Sequence, residues 1–167
     1  ADAIVSHLTK RIKLNRDEDP AFYDSFSKRI NAVLEEFKNR ILSEKEYLKQ
    51  MFEVLGDFRR GDTKQKFPEK IAGDLDAQAF YGVTMPVLSE KYNMDSEVIA
   101  TVSQKITQIV RTHDTVDWKT NIDIHNRIRQ DIDDLFYELE NDKGFAVDFD
   151  DIDKITESVL NVAMRRF

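Results

Sequence analysis

Apolar residues along this chain recur at intervals of three and four, the period of one buried helix face. Ile4, Val5, Leu8 and Ile12 predict a short amphipathic lead-in helix. Phe22, Phe26, Ile30, Val33, Phe37 and Ile41 predict a long helix with a bulky inner face. Its start is marked by Asp17, Glu18 and Asp19 ahead of Pro20. Acids suit the positive end of the helix dipole, and the N–H that proline lacks has no partner in a first turn anyway. Ser43 and Glu46 then form the S-x-x-E capping box that opens another helix, with Leu48, Met51, Phe52, Leu55 and Phe58 expected inside. So few residues separate these two helices that they should form an antiparallel hairpin.

Residues 59–73, RRGDTKQKFPEKIAG, interrupt the period and read as a basic loop. Asp74 is placed to cap a helix through LDAQAFYG, which Gly82 is expected to end or bend and Pro86 to restart through Tyr92. Asp95 or Ser96 caps the next, with Val98, Ile99, Val102, Ile106, Ile109 and Val110 inside. Asp117 is expected to cap a helix striped by Trp118, Ile122, His125, Ile128, Ile132, Leu135, Phe136 and Leu139. Gly144 and Phe145 turn the chain into a final helix from about Asp150 to Arg166, acidic in its first turn and basic in its last. The pattern predicts an all-α fold of seven or eight helices without a sheet. Residues 1–18 read as a lead-in helix and linker, and residues 19–167 as a single helical domain.

Composition agrees: 5 Gly and 3 Pro in 167 residues are too few to punctuate a many-stranded β fold. The absence of cysteine excludes disulfides and thiolate chemistry and suits a reducing, cytoplasmic compartment. No apolar run nears the roughly 20 residues that span a bilayer, so no membrane partner is expected. The chain starts without Met, as a piece of a longer protein would.

Charge changes the picture more. The net value of −7 argues against a free-standing nucleic-acid binder. It hides an asymmetry, because residues 131–157 hold 11 Asp/Glu against 2 Lys. Residues 1–16 carry Lys10, Arg11, Lys13 and Arg16 against Asp2, and residues 59–70 carry Arg59, Arg60, Lys64, Lys66 and Lys70 against Asp62 and Glu69. Such bipolar charge suits docking between unlike partners. Lys10, Arg11, Lys13, Arg59, Arg60, Lys64, Lys66 and Lys70 are candidates for phosphate-backbone contact, which needs mobile cations and no special geometry; the plainer reading of residues 59–70 is a solvated loop. Asp131, Asp133, Asp134 and Glu138 are candidates for a partner-docking face.

Catalytic motifs do not assemble. An EF-hand begun at Asp148 would need Gly at its sixth position and Glu at its twelfth, where Asp153 and Val159 stand. His7, His113 and His125 belong to no metal-binding spacing. GDFRRGDT, residues 56–63, has Walker A glycine spacing, but Asp62 replaces the phosphate-binding lysine and a helix precedes it. Glu36-Phe37-Lys38 has the letters of a nuclease motif in a region with no strands, and no G-x-S-x-G elbow exists. His125, within an apolar stripe, reads as a partly buried structural residue rather than a general base. Along residues 119–133 the charges Lys119–Asp123, Arg127–Asp131 and Arg129–Asp133 fall at i,i+4, pairs worth only about 0.2–0.5 kcal/mol each.

Four blocks in order carry a resemblance: DPAFYDSFSKRI at 19–30, SEKEYLKQM at 43–51, LDAQAFYG at 75–82 and VDWKTNIDIHNRIRQDIDDLF at 116–136. Together they resemble the C-terminal region of the motor/endonuclease (R) subunit of type I restriction-modification enzymes. The resemblance implies a non-catalytic domain, since the nuclease and RecA-like motor motifs of that family lie N-terminal to this region. It implies partners: the modification and specificity subunits of a methyltransferase core, the remainder of the motor subunit, and the DNA backbone. Parent complexes of that kind use ATP and Mg, whereas no cofactor is expected in this domain. Two alternatives remain: a purely structural domain, and a nucleotide pocket in which Tyr81, Trp118 and Arg127 would stack on a base.

Overall fold

In the computed structural model, which describes residues 1–167, the chain forms seven α-helices and three single 3₁₀ turns, with no strand. This is the all-α architecture that the helical period and the scarcity of Gly and Pro predict. The helices form two compact units, residues 1–66 and 67–167, each with its own hydrophobic core.

The first unit consists of α1 (Asp2–Asn15), α2 (Pro20–Lys38) and α3 (Glu44–Arg60). Leu8 and Ile12 of the lead-in helix are buried against Phe26, Ile30, Val33 and Met51. The start signals work as expected: the Asp19 side chain accepts from the Phe22 N–H ahead of Pro20, and both halves of the Ser43–Glu46 capping box form. Two expectations fail. α2 ends at Lys38 rather than Ile41: Arg40 turns left-handed at φ +57°, the Ile41 N–H donates back to the Glu36 carbonyl, and Ile41 is 68% exposed. That is the hydrogen-bond pattern with which glycine usually closes a helix. On α3 the buried set is Tyr47, Met51, Val54 and Asp57, while Leu48 and Phe52 are exposed. Tyr47 takes an inner position because its ring stacks on Phe37 at 4.2 Å and its hydroxyl donates to Asp2 at 3.2 Å. Counting tyrosine as polar therefore turns the predicted face away from the observed one.

The second unit is a four-helix arrangement of α4 (Leu75–Glu90), α5 (Ser96–His113), α6 (Ile122–Lys143) and α7 (Phe149–Arg166). α4 packs on α5 and α7, and α6 closes the ring between those two. Gly82 and Pro86 neither end nor restart α4, which runs unbroken through both. The exposed Pro86 removes one backbone donor, and the i−4 carbonyl its ring must pass belongs to the glycine, Gly82. Asp117 does not cap a helix either. It stands left-handed at φ +62°, a 3₁₀ turn over Trp118–Thr120 follows, and Asn121 caps α6 by accepting from Asp123. Trp118 is 3% exposed and packs edge-on against His125 across 5.8 Å, whereas Ile122, predicted inside, is exposed.

Ion pairs between helix ends fasten this unit. Arg111, in the last turn of α5, donates to Asp74 and Asp76 at the start of α4, and Arg166 at the end of α7 also donates to Asp76. Elsewhere in the unit Lys91 and Tyr92 donate to the buried Asp151 of α7. The lysine and the tyrosine hold the Asp151 carboxyl below its ordinary range, in that order of effect, against the desolvation that raises it.

Candidate interaction surfaces

The cations proposed for DNA contact divide into held and unheld groups. Arg59 and Arg60 are not in a loop, because α3 continues through them and ends at Gly61, left-handed at φ +71°. Asp57, on the same helix, is buried and gathers three cations. It accepts from Arg29 of α2 at 2.6 Å and from Arg60, and Lys64 lies 3.3 Å away. The Arg29 hydrogen bond is the largest influence lowering the Asp57 carboxyl below its ordinary range, followed by the opposing effect of burial and then Lys64. Lys64 also pairs with Asp62 at 3.0 Å. Arg60 and Lys64 are thus engaged within the unit. Arg59, Lys66, Lys10, Arg11 and Lys13 are exposed and make no ion pair.

Lys70 belongs to the second unit, where its ammonium lies 3.4 Å from Glu97 and donates to Thr101 at 2.8 Å. Its segment also serves the core, contrary to its reading as a solvated basic loop. Ile71 is fully buried, and Phe67 meets Tyr81 edge-on at 5.7 Å. Sequence spacing could not show this, because the 3₁₀ turn at Glu69–Ile71 has no helical period to read.

Of the three residues suggested for base stacking, two are buried and one is exposed. Tyr81 is 5% exposed on α4 beside Phe67, Trp118 is buried on His125, and Arg127 is exposed on α6. No ring contact joins Tyr81 to Trp118.

The acidic residues of α6 also divide. Asp131 accepts a 2.6 Å contact from Nε2 of His113 on α5. Asp133 is half-buried on the side facing α7, where burial first, then the charges of Asp153 and Asp134, raise its carboxyl above the ordinary range. Asp134 and Glu138 are exposed and, with Asp131, line the cleft between α6 and α5. The expected i,i+4 pairs give way to pairs between helices: Arg129 bonds to Glu157 of α7 and Asp131 to His113 of α5. Lys119 precedes α6, in the 3₁₀ turn, so it shares no helix with Asp123. α6 is flanked on both sides, and Arg129 and Asp131 find nearer partners there than along its own axis.

Charge follows the two units. Residues 1–66 carry 14 Lys/Arg against 12 Asp/Glu, and residues 67–167 carry 11 against 20. No helix is long and apolar enough to cross a membrane.

Two helical units of opposite net charge, each with buried carboxylates held by structural ion pairs, define a class of all-α helical domain. The chain belongs to the family described as Type I restriction enzyme HindI endonuclease subunit-like, C-terminal, whose model matches residues 1–165. It is 25% identical over 127 residues to the Type I restriction enzyme HindI endonuclease subunit of Haemophilus influenzae, an alignment covering 76% of this chain. That alignment takes in 12% of the relative, so the chain corresponds to a small part of that protein's length. No solved structure matches the chain.

Proposed function

We propose that this chain is the non-catalytic C-terminal domain of a type I restriction endonuclease subunit, and that it attaches the subunit to its methyltransferase core while contacting DNA without sequence preference. The observation that carries this reading is the division of charge between the units in a chain of this family. The second unit, at net −9, would repel a phosphate backbone and suits a protein partner with a basic surface. The first unit offers Lys10, Arg11, Lys13, Arg59 and Lys66 as exposed cations without internal partners, the form in which phosphate contact displaces counterions most readily. ATP and Mg act, in this reading, in other parts of the parent enzyme.

The test compares the parent endonuclease subunit with and without residues 1–167. Assembly with the methyltransferase core is followed by analytical ultracentrifugation, and nonspecific duplex binding by titration at several salt concentrations. The domain's removal is expected to weaken both. Unchanged assembly at equal subunit concentrations would leave a purely structural role as the better account.

A further inference from the structure

In the second unit, α5 and α6 do not close fully against each other. A cleft of about 270 Å³ opens beside Val98, Val102, Leu135 and Leu139, and a shallower one continues past Ile109. The two share Lys105, Leu135 and Glu138, so they form one groove along the helix pair. Its floor is apolar. Its α6 edge is acidic: Asp131, Asp134, Glu138 and Asp142 follow one another at steps of three and four, which places them on a single ridge. The ridge spans 11 residue steps, roughly 16 Å of helix axis at about 1.5 Å per residue, the length of three turns. The opposite edge, on α5, presents Glu97, Thr101, Lys105 and Gln108, with Lys70 paired to Glu97 beside it. Lys143 stands at the far end of the α6 edge, so three cations, one of them already paired, interrupt a rim that carries six acidic residues with Asp95.

We propose that this groove receives a basic amphipathic α-helix of another subunit. An apolar floor between two parallel ridges is the shape into which a helix lays its apolar stripe. The acidic ridge selects lysines or arginines at i,i+4 spacing along the flank that meets α6, and Lys105 favours an acidic residue on the other flank. A nucleic-acid strand is disfavoured because its phosphates would face the four carboxylates of the ridge. The proposal rests on the assembly reading above and names the surface and the partner chemistry through which assembly occurs.

The experiment uses the full-length endonuclease subunit and its methyltransferase core. Asp134→Lys, Glu138→Lys and Asp142→Lys are introduced together, all at exposed positions. They are expected to weaken the complex about tenfold or more, mostly at low salt, with the unfolding temperature unchanged. In parallel, a photoreactive phenylalanine analogue replaces Leu139 on the floor, and the cross-linked peptide is sequenced. A peptide of the core whose Lys/Arg residues recur at three and four beside an apolar stripe supports the groove. A cross-link to nucleic acid overturns it. So does one to a core peptide lacking that pattern, or to residues 45–52 of a second copy, where Lys45 and Lys49 flank the exposed Leu48 and Phe52. If deleting residues 67–167 abolishes assembly but the triple variant assembles fully, the groove is wrong and the assembly reading stands. If the deletion leaves assembly intact, both fall.

Discussion

Asp57 on α3 accepts a 2.6 Å hydrogen bond from Arg29 on α2, with the carboxylate almost wholly inside the first unit. Arg29 also lies over the Phe26 ring at 5.1 Å, so one guanidinium joins the polar and apolar parts of the α2–α3 interface. Removing the carboxylate charge leaves Arg29 half-buried without its partner. Asp57→Asn should therefore destabilise the unit by about 2 kcal/mol at neutral pH, toward the lower end for broken buried pairs because Arg29 keeps some access to water. The folded carboxyl titrates below its unfolded value, so its stabilisation is complete above the ordinary carboxylate range and is lost as pH falls through the folded value. Urea unfolding of the two proteins should differ at pH 7 and converge as pH falls below the ordinary carboxylate range; a gap that stays constant with pH would refute the ion-pair account.

Asp133 behaves oppositely. Burial and the charges of Asp153 and Asp134 raise its carboxyl, so the folded state favours the protonated form. Such a group contributes stability below its unfolded value and loses it as pH rises through the folded one. At pH 7 the ionised side chain is a liability. Asp133→Asn should raise stability by on the order of 0.5 kcal/mol at pH 7 and by nothing near pH 3, where Asp133 is itself protonated. Thermal unfolding at the two pH values measures the difference.

Arg40 holds the left-handed position that closes α2, with φ +57° and no glycine to relieve it. A side chain in that conformation costs about 1 kcal/mol relative to glycine. Arg40→Gly should accordingly stabilise the first unit by about 0.5–1 kcal/mol, since the added freedom of the unfolded chain offsets part of the gain. Denaturant midpoints of the two chains test this, and an unchanged or lower midpoint for the glycine variant would show that Arg40 makes a compensating contact.

These cases show what the amino-acid order could and could not disclose. Several helix starts were legible because a cap is local chemistry: Asp19 before Pro20, Ser43 with Glu46 and Asp95 at α5 each satisfy orphan N–H groups within three residues, while at α6 the cap is Asn121 rather than the expected Asp117. Helix ends were less so. Arg40 closes α2 without the glycine signal, and α4 carries Gly82 and Pro86 without stopping, because packing against α5 and α7 outweighs the local penalty. The buried polar partners were not legible at all. Asp57 with Arg29 is separated by 28 positions and Asp151 with Lys91 by 60, distances over which no spacing rule operates. The candidate surfaces were legible as charge totals along the chain. Which cation is engaged and which acid faces the α5–α6 cleft depends on tertiary neighbours.

That last distinction yields a quantitative expectation for DNA contact. Counterion release gives a salt slope of about −0.9 per phosphate contact on duplex DNA. If Lys10, Arg11, Lys13, Arg59 and Lys66 act on the backbone, changing all five to Gln should make the slope of log K against log salt shallower, by up to about 4.5 units if every one is in contact. Arg60 and Lys64 already neutralise Asp57 and Asp62. Releasing them to phosphate would expose the buried Asp57 carboxylate, so the same change at those two positions should alter the slope by less than about 1 unit and lower stability instead. Duplex binding by the assembled parent complex, titrated between low and physiological salt, separates the two sets. Equal slopes for the wild type and the five-residue variant would remove the first unit from the DNA path.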